Sequence, residues 1–307
     1  MTTPTRSPAG LVYGLAAYGL WGLMPLYFRE VKMVDPLELL THRIVWSVAL
    51  LAALMTALRR WPEVLAALRK PTTRALLAAS TVFIAINWYA FIVGVATDRV
   101  VQNSLGYFIN PLFSILLGVV VFRERLRVAQ WAALALASAG LVYLVVAVGE
   151  VPWIALTVAT SFALYGLVRK IAPVESLVGL TVETMFLAPP AAAALGYWAA
   201  RGTLMLGTLG MPTDAAVLAS GVVTAVPLLC FGAAARRLPL STMGFLQFLA
   251  PTLQFLFAVF VFGERFREEQ WAGFSLIWSA LVIVTVDALL ARRSGARGEP
   301  IPVGEVT

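Results

Sequence analysis

Ten apolar runs follow one another along this chain with little between them, and most approach the roughly twenty residues a helix needs to cross a hydrocarbon layer. Divided at charged or proline-marked breaks, they fall at about 10–28, 36–58, 75–97, 100–121, 128–148, 151–168, 175–200, 214–235, 240–262 and 270–290. The runs are continuous rather than alternating, and many exceed the length of barrel strands, which is about ten residues. Helices, whose backbone polar groups are satisfied within each segment, are the solution lipid allows. The expected fold is an all-α integral membrane protein with ten transmembrane helices. Composition agrees: 60% of the 307 residues are hydrophobic and 13% charged, against about a quarter charged in a soluble domain. Little chain is left for a soluble domain; the tails at 1–9 and 291–307 are short. The run from Gly10 to Phe28 is long for a signal-peptide core and reads as a retained first span.

A net charge of +7 and a pI near 9.9 raise nucleic acid as a partner, but the positions of the charges exclude it. They stand singly or in small groups beside span ends instead of gathering on one soluble face. With the N-terminus inside, cytoplasmic segments hold sixteen of the 23 Lys and Arg residues and outside segments six, with Arg43 left inside a span. Both termini are therefore expected in the cytoplasm. Residues 59–74 alternate Trp61, Val64, Leu65 and Leu68 with bases, which predicts a short helix lying on the inner leaflet. Cys230 and His42 are the single cysteine and histidine. No intramolecular disulfide or ordinary zinc site can be assembled from them, and no cofactor is expected.

The chain repeats itself. Phe108 to Ala132 (FINPLFSILLGVVVFRERLRVAQWA) and Phe248 to Ala272 (FLAPTLQFLFAVFVFGERFREEQWA), 140 residues apart, are identical at 12 of 25 positions, including Pro111 with Pro251, Glu124 with Glu264 and Trp131 with Trp271. The same offset aligns Ser80 with Ser220 and Phe91 with Phe231, and Tyr18-Gly19-Leu20 resembles Tyr165-Gly166-Leu167. The units are expected at 10–148 and 151–290, five helices each. Five is odd, so the second unit enters the membrane from the opposite side, which is the inverted repeat that transporters use. Charge follows: the loop Arg123–Arg127 is basic, whereas Glu264, Glu268 and Glu269 outweigh Arg265 and Arg267 in its counterpart. Such a repeat places a shared cavity near the membrane midplane.

Two five-helix units that each close with a Pro-containing span and a glutamate turn resemble the EamA domains of the drug/metabolite transporter superfamily. The strings Leu39-Leu40-Thr41-His42-Arg43, Asn87-Trp88, Ser104 to Pro111 (SLGYFINP), Tyr165 to Lys170 (YGLVRK), Val226 to Phe231 (VPLLCF) and Pro251-Thr252 are similar to the RarD subfamily. The resemblance spans about residues 10–292, and it implies a bacterial inner-membrane permease of the kind also labelled chloramphenicol-sensitive. One departure is Ala250, where that pattern implies glycine.

Polar groups in mid-membrane are costly, so each is a candidate for function. Asn103, Tyr107 and Asn110 share one face of the fourth span; Gln247, the repeat mate of Tyr107, and Gln254 share a face of the ninth. These stripes either face one cavity or join helices by hydrogen bonds. Pro111 and Pro251 loosen backbone carbonyls beside them. On the second span, Arg43 offers a positive fork to an anionic or carboxylate-bearing substrate, or else snorkels to the interface; His42 titrates beside it and Glu38 lies near the surface. Glu183, about 12 Å deep from the inner side, is a candidate proton-coupling group or the partner of a base such as Arg43 or Arg169. Pro189-Pro190 marks a hinge in the same span. Asn87 and Trp88, with Tyr18 and Trp21, are candidate cavity walls, the alternative for the aromatics being packing.

The expected function is secondary transport of small organic metabolites or drugs by alternating access, driven by protons or downhill. No GxxxxGK[ST] string supports an ATP-driven pump, and no HExxH, histidine pair or GxSxG supports an intramembrane enzyme. A lipid flippase or a non-transporting scaffold is the alternative. The expected partners are the bilayer, the solute and protons.

Overall fold

The computed structural model describes residues 7–97, 99–148, 152–263 and 268–296, and among them there is no strand. Glu264, Arg265 and Arg267 of the second glutamate turn, and most of both tails, lie outside the described residues. In chain order the helices are α1 (Pro8–Gly22), α2 (Met24–Glu30), α3 (Pro36–Ala57), α4 (Trp61–Arg69), α5 (Pro71–Ala96), α6 (Val100–Phe122) and α7 (Val128–Val148). There follow α8 (Trp153–Ile171), α9 (Ser176–Arg201), α10 (Met211–Ala235), α11 (Leu240–Gln247), α12 (Leu249–Leu256), a π-helical turn (Phe257–Val261) and α13 (Glu268–Ala296).

Helix starts follow local chemistry. Ser7 accepts a hydrogen bond from Gly10 N ahead of Pro8, and Asp35 accepts from Leu37 N and Glu38 N ahead of Pro36. Both are side-chain caps placed before a proline that has no N–H to satisfy. Two expected spans are interrupted. The first stops at Leu23 and restarts at Met24-Pro25, and the ninth breaks at Phe248. Pro251 cannot donate to the carbonyl of Gln247, four residues back, and its ring crowds that oxygen. Pro111, at the matching place, leaves α6 unbroken, and α9 runs on through Pro189-Pro190.

Eight segments are long and apolar enough to cross a bilayer, the pairs α1–α2 and α11 to the π turn each counting as one. The fifth and tenth expected spans are present as α7 and α13, but their described apolar stretches, Val128–Tyr143 and Ser275–Asp287, are shorter. The chain is thus a multi-pass, all-α membrane protein. The loops sort into two ends. At one, Glu38 accepts from Met205 N (2.8 Å) and Leu206 N (3.3 Å), tying α3 to the α9–α10 loop. At the other, Arg60 bridges Glu63 and Glu175, and Arg127 pairs with Asp287. The short helix expected within 59–74 is α4, which buries Val64 and Ala67 against its neighbours.

Helices in lipid gain little from water exclusion and associate through close packing, often at small residues. Gly221 is such a point: a Cβ there would lie 2.3 Å from the backbone of Trp46, so α10 and α3 touch main chain to main chain. Ser47 Oγ completes the crossing with a 3.3 Å bond to Gly221 O. Gly221→Ala is therefore expected to cost about 1–3 kcal/mol and to lower the melting temperature of the detergent-solubilised protein. Gly196→Ala, whose Cβ would meet nothing within 4 Å, is the control and should melt no lower than wild type.

Candidate functional site

A cavity of about 460 Å³ lies among the helices and extends to the end that carries the α2–α3 loop, where Val31, Lys32, Val34 and Pro36 border it. Its walls come from both sequence repeats. Tyr18 and Trp21 of α1, Arg43 of α3, Asn87 and Trp88 of α5, Tyr107 and Asn110 of α6, and Gln247 of α11 all line it. These are the eight residues that the sequence marks as candidate substrate contacts. His42 and Glu183 do not line it.

Arg43 is the charge at the centre. Its Nε donates to Thr224 Oγ1 on α10 at 2.9 Å, and the guanidinium sits 5.7 Å from the Trp88 ring and 6.0 Å from Phe28. It reaches across the bundle rather than out to the interface. Among the described residues no carboxylate lies within ion-pair distance of it. Asn87 Nδ2 donates to Val158 O at 2.7 Å and to Ser161 Oγ at 3.2 Å, which orients its amide beside α8. Gln247 accepts from Ser114 Oγ at 3.4 Å, and Asn110 Oδ1 is buried without a protein partner among the described residues. Gln254 lines the cavity but donates its amide to Trp21 O at 3.0 Å. Asn103, one turn before Tyr107, turns away from the cavity: its Nδ2 bonds Phe91 O, and it packs into the space left by Gly94. The expected polar stripe of α6 therefore divides between cavity wall and helix joining.

Toward the other end the cavity is closed in layers. First come the rings of Tyr18, Phe162, Phe231 and Tyr165, with neighbouring centroids 5.1–6.3 Å apart. Below them Glu183, 1% exposed, accepts from Ser80 Oγ (2.5 Å) and Tyr165 Oη (3.2 Å) and pairs with Arg169 Nη1 (3.3 Å), which is equally buried. Of the two bases considered for Glu183, the partner is Arg169 and not Arg43. The last layer is a latch. Glu124 follows α6, and its carboxylate accepts from Leu240 N (2.7 Å), Ser241 N (2.8 Å) and Ser241 Oγ (2.5 Å) at the start of α11. An acid at a helix N-terminus satisfies orphan donors and suits the helix dipole. Lys170 adds a second tie by donating to Ala235 O at the end of α10 and to Leu238 O beyond it.

The latch is absent from a reading of polar residues inside spans, because Glu124 lies in a loop and its partners are more than a hundred residues away. A second feature was within reach of the sequence. Arg43 and Glu183 are 140 residues apart, the repeat offset, and Leu40-Thr41 matches Leu180-Thr181. Each is the eighth residue of its helix, α3 or α9. Arg43, on the cavity wall, and Glu183, in the Arg169 network, thus hold corresponding places in the sequence repeat.

Shortening the polar contacts of the cavity is expected to affect ligands more than folding. Tyr107→Ala and Gln247→Ala should each weaken solute binding at least about tenfold, equal to 1.4 kcal/mol, while the melting temperature falls by less than that loss implies. Equal losses of binding and stability would reduce both residues to structural bonds.

Comparison with known proteins agrees with this architecture. Residues 8–146 match the model of the EamA-like transporter family. The chain is 46% identical over 308 residues to "Protein RarD" of Streptomyces exfoliatus, covering 97% of this chain and 95% of that one. It is 42% identical over 297 residues to an "Uncharacterized transporter" of Vibrio cholerae serotype O1, covering 96% and 98%. A solved crystal structure superposes with a TM-score of 0.68 at 22% identity, covering 94% of this chain and 99% of that chain, and this likeness is one of fold alone.

Proposed function

This chain belongs to the EamA-like transporter family, in its RarD-named branch, and from that premise we propose how the membrane transporter works. It is a secondary transporter that moves small organic metabolites or drugs across the bacterial inner membrane. Ten spans form two inverted five-helix repeats with both termini in the cytoplasm, and the cavity alternates between the two sides. The observation that carries this reading is the composition of the cavity: Tyr107 and its repeat mate Gln247 face one space that runs to one end of the bundle and is closed in layers toward the other. Helix pairing supports it as well. Exchanging each helix for its repeat mate turns the α5–α8 contact into α1–α10, and α3–α9 and α7–α13 into themselves; all four are made. Charge distribution supports an outward-open state, since the α2–α3 loop falls outside and the Glu124 latch inside.

Inversion would exchange the environments of Arg43 and Glu183. Glu183 then leaves Arg169, meets water and takes a proton, which makes it the coupling group; His42, paired with Glu38 at 3.5 Å, stands further from the path. The test is a metabolite and antibiotic panel screened for thermal stabilisation of the purified protein, since a ligand at a hundred times its Kd adds about 2.7 kcal/mol. Each stabilising solute is then tested for counterflow in proteoliposomes. The reading requires that at least one such solute exchanges across the membrane. Stabilising solutes that never exchange would contradict it.

A further inference from the structure

We infer that the cargo is an organic monocarboxylate: one carboxylate, held by Arg43, on a flat aromatic body. This rests on the transport reading above and narrows it. A guanidinium within a bilayer is costly unless paired, and a structural arginine would have an acid beside it. Among the described residues the buried acids are Glu38, on the same helix as Arg43, and Glu183 on α9, and both are engaged elsewhere, Glu38 with Met205 N, Leu206 N and His42, and Glu183 with Arg169. Arg43 uses Nε on Thr224, which leaves the outer edge of its fork for a planar, two-oxygen acceptor. The described lining holds Arg43 and Lys32 but no Asp or Glu. A cation is therefore repelled, and the ammonium of a zwitterion finds no counter-charge.

The body of the ligand is set by the walls. Phe28 and Trp88 flank the guanidinium, Phe28 stacks on Phe91 at 6.3 Å, and Phe91 meets Tyr107 edge-on at 6.4 Å. A flat ring extends this series, and a space near 460 Å³ is within the usual range for a drug-sized ligand. The single guanidinium in the described lining implies one carboxylate. Lys32, at the mouth, draws anions inward.

The test uses three probes with one body: 3-phenylpropanoate, its neutral amide 3-phenylpropanamide, and the cation 3-phenylpropylamine. Thermal shifts of the purified full chain give a Kd for each. The carboxylate should bind wild type at least about tenfold more tightly than the amide, and the amine should give no shift. Arg43→Gln should weaken the carboxylate by about tenfold to hundredfold, the size of a charge-assisted contact, and bring it level with the amide. Its ligand-free melting temperature should not fall below wild type, because a charge without a counter-ion inside the bilayer has been removed. Arg43→Lys should keep part of the preference. If Arg43→Gln does not fold, the charge preference of wild type and Arg43→Lys decides. Equal binding of amide and carboxylate, stabilisation by the amine, or no shift with any probe overturns the inference. Counterflow separates the two readings: a bound carboxylate that does not exchange contradicts transport and leaves only a carboxylate-binding site at Arg43, whereas exchange of the amide alone supports transport and overturns the carboxylate assignment.

Discussion

Glu183→Gln is expected to lower stability by about 3–5 kcal/mol, because it leaves the guanidinium of Arg169 buried without its counter-charge. Arg169 is 1% exposed, and its Nη1 is 3.3 Å from Glu183 Oε1. Adding Arg169→Met should restore most of that loss, since removing both charges of a buried pair is close to neutral. Thermal denaturation of the single and double variants reads both effects. The double variant, being folded, then reports on coupling: it should exchange solute in counterflow and fail to accumulate it against a pH gradient. Accumulation equal to wild type would remove Glu183 from the energy coupling and leave it as a structural ion pair.

Glu124→Ala should have the second largest effect, and a different one. Three donors, two of them backbone N–H groups at the start of α11, lose an ionised acceptor. Bonds to charged groups contribute about 1.5–3 kcal/mol each, and water reaches this end once the carboxylate is gone, so a net loss of about 2–4 kcal/mol is expected by the same measure. The loss should be selective for the closed arrangement at that end, so the cavity should open there more often. Gly118→Ala acts from the other side: its Cβ would stand 2.6 Å from Glu124 Oε2 and press the carboxylate off α11. Hydrogen exchange at residues 236–243 should rise in both variants and stay unchanged around the Asp35 cap of α3. A uniform rise across the bundle would mean general destabilisation instead of an opened latch.

Helix content was legible because lipid leaves the backbone few choices, and apolar run length reads it directly. Interruptions were not, since hydropathy is continuous through Leu23 and Phe248, and only the backbone chemistry of Pro25 and Pro251 breaks the helix there. Pro111 shows why a proline alone is no guide: α6 continues through it, packed closely against Gly244 of α11. The cavity residues were legible as polar or aromatic groups out of place in hydrocarbon, and the repeat offset related Tyr107 to Gln247. Which of those groups a neighbour satisfies was not, as Asn103 bonded to Phe91 O and Arg169 chosen over Arg43 by Glu183 both illustrate. Such pairings are set by helix rotation and crossing, which single-helix spacing does not contain.

Alternating access means that one cavity is reached from two sides in turn. Sided labelling tests it most directly: Leu40→Cys, one turn from Arg43 on the cavity wall, in a Cys230→Ser background, probed with a membrane-impermeant methanethiosulfonate sulfonate. In right-side-out vesicles the thiol should react readily, and in inside-out vesicles slowly. Adding Glu124→Ala should raise the inside-out rate and lower the right-side-out rate together. Reaction from one side alone, unmoved by loss of the latch, would contradict alternating access.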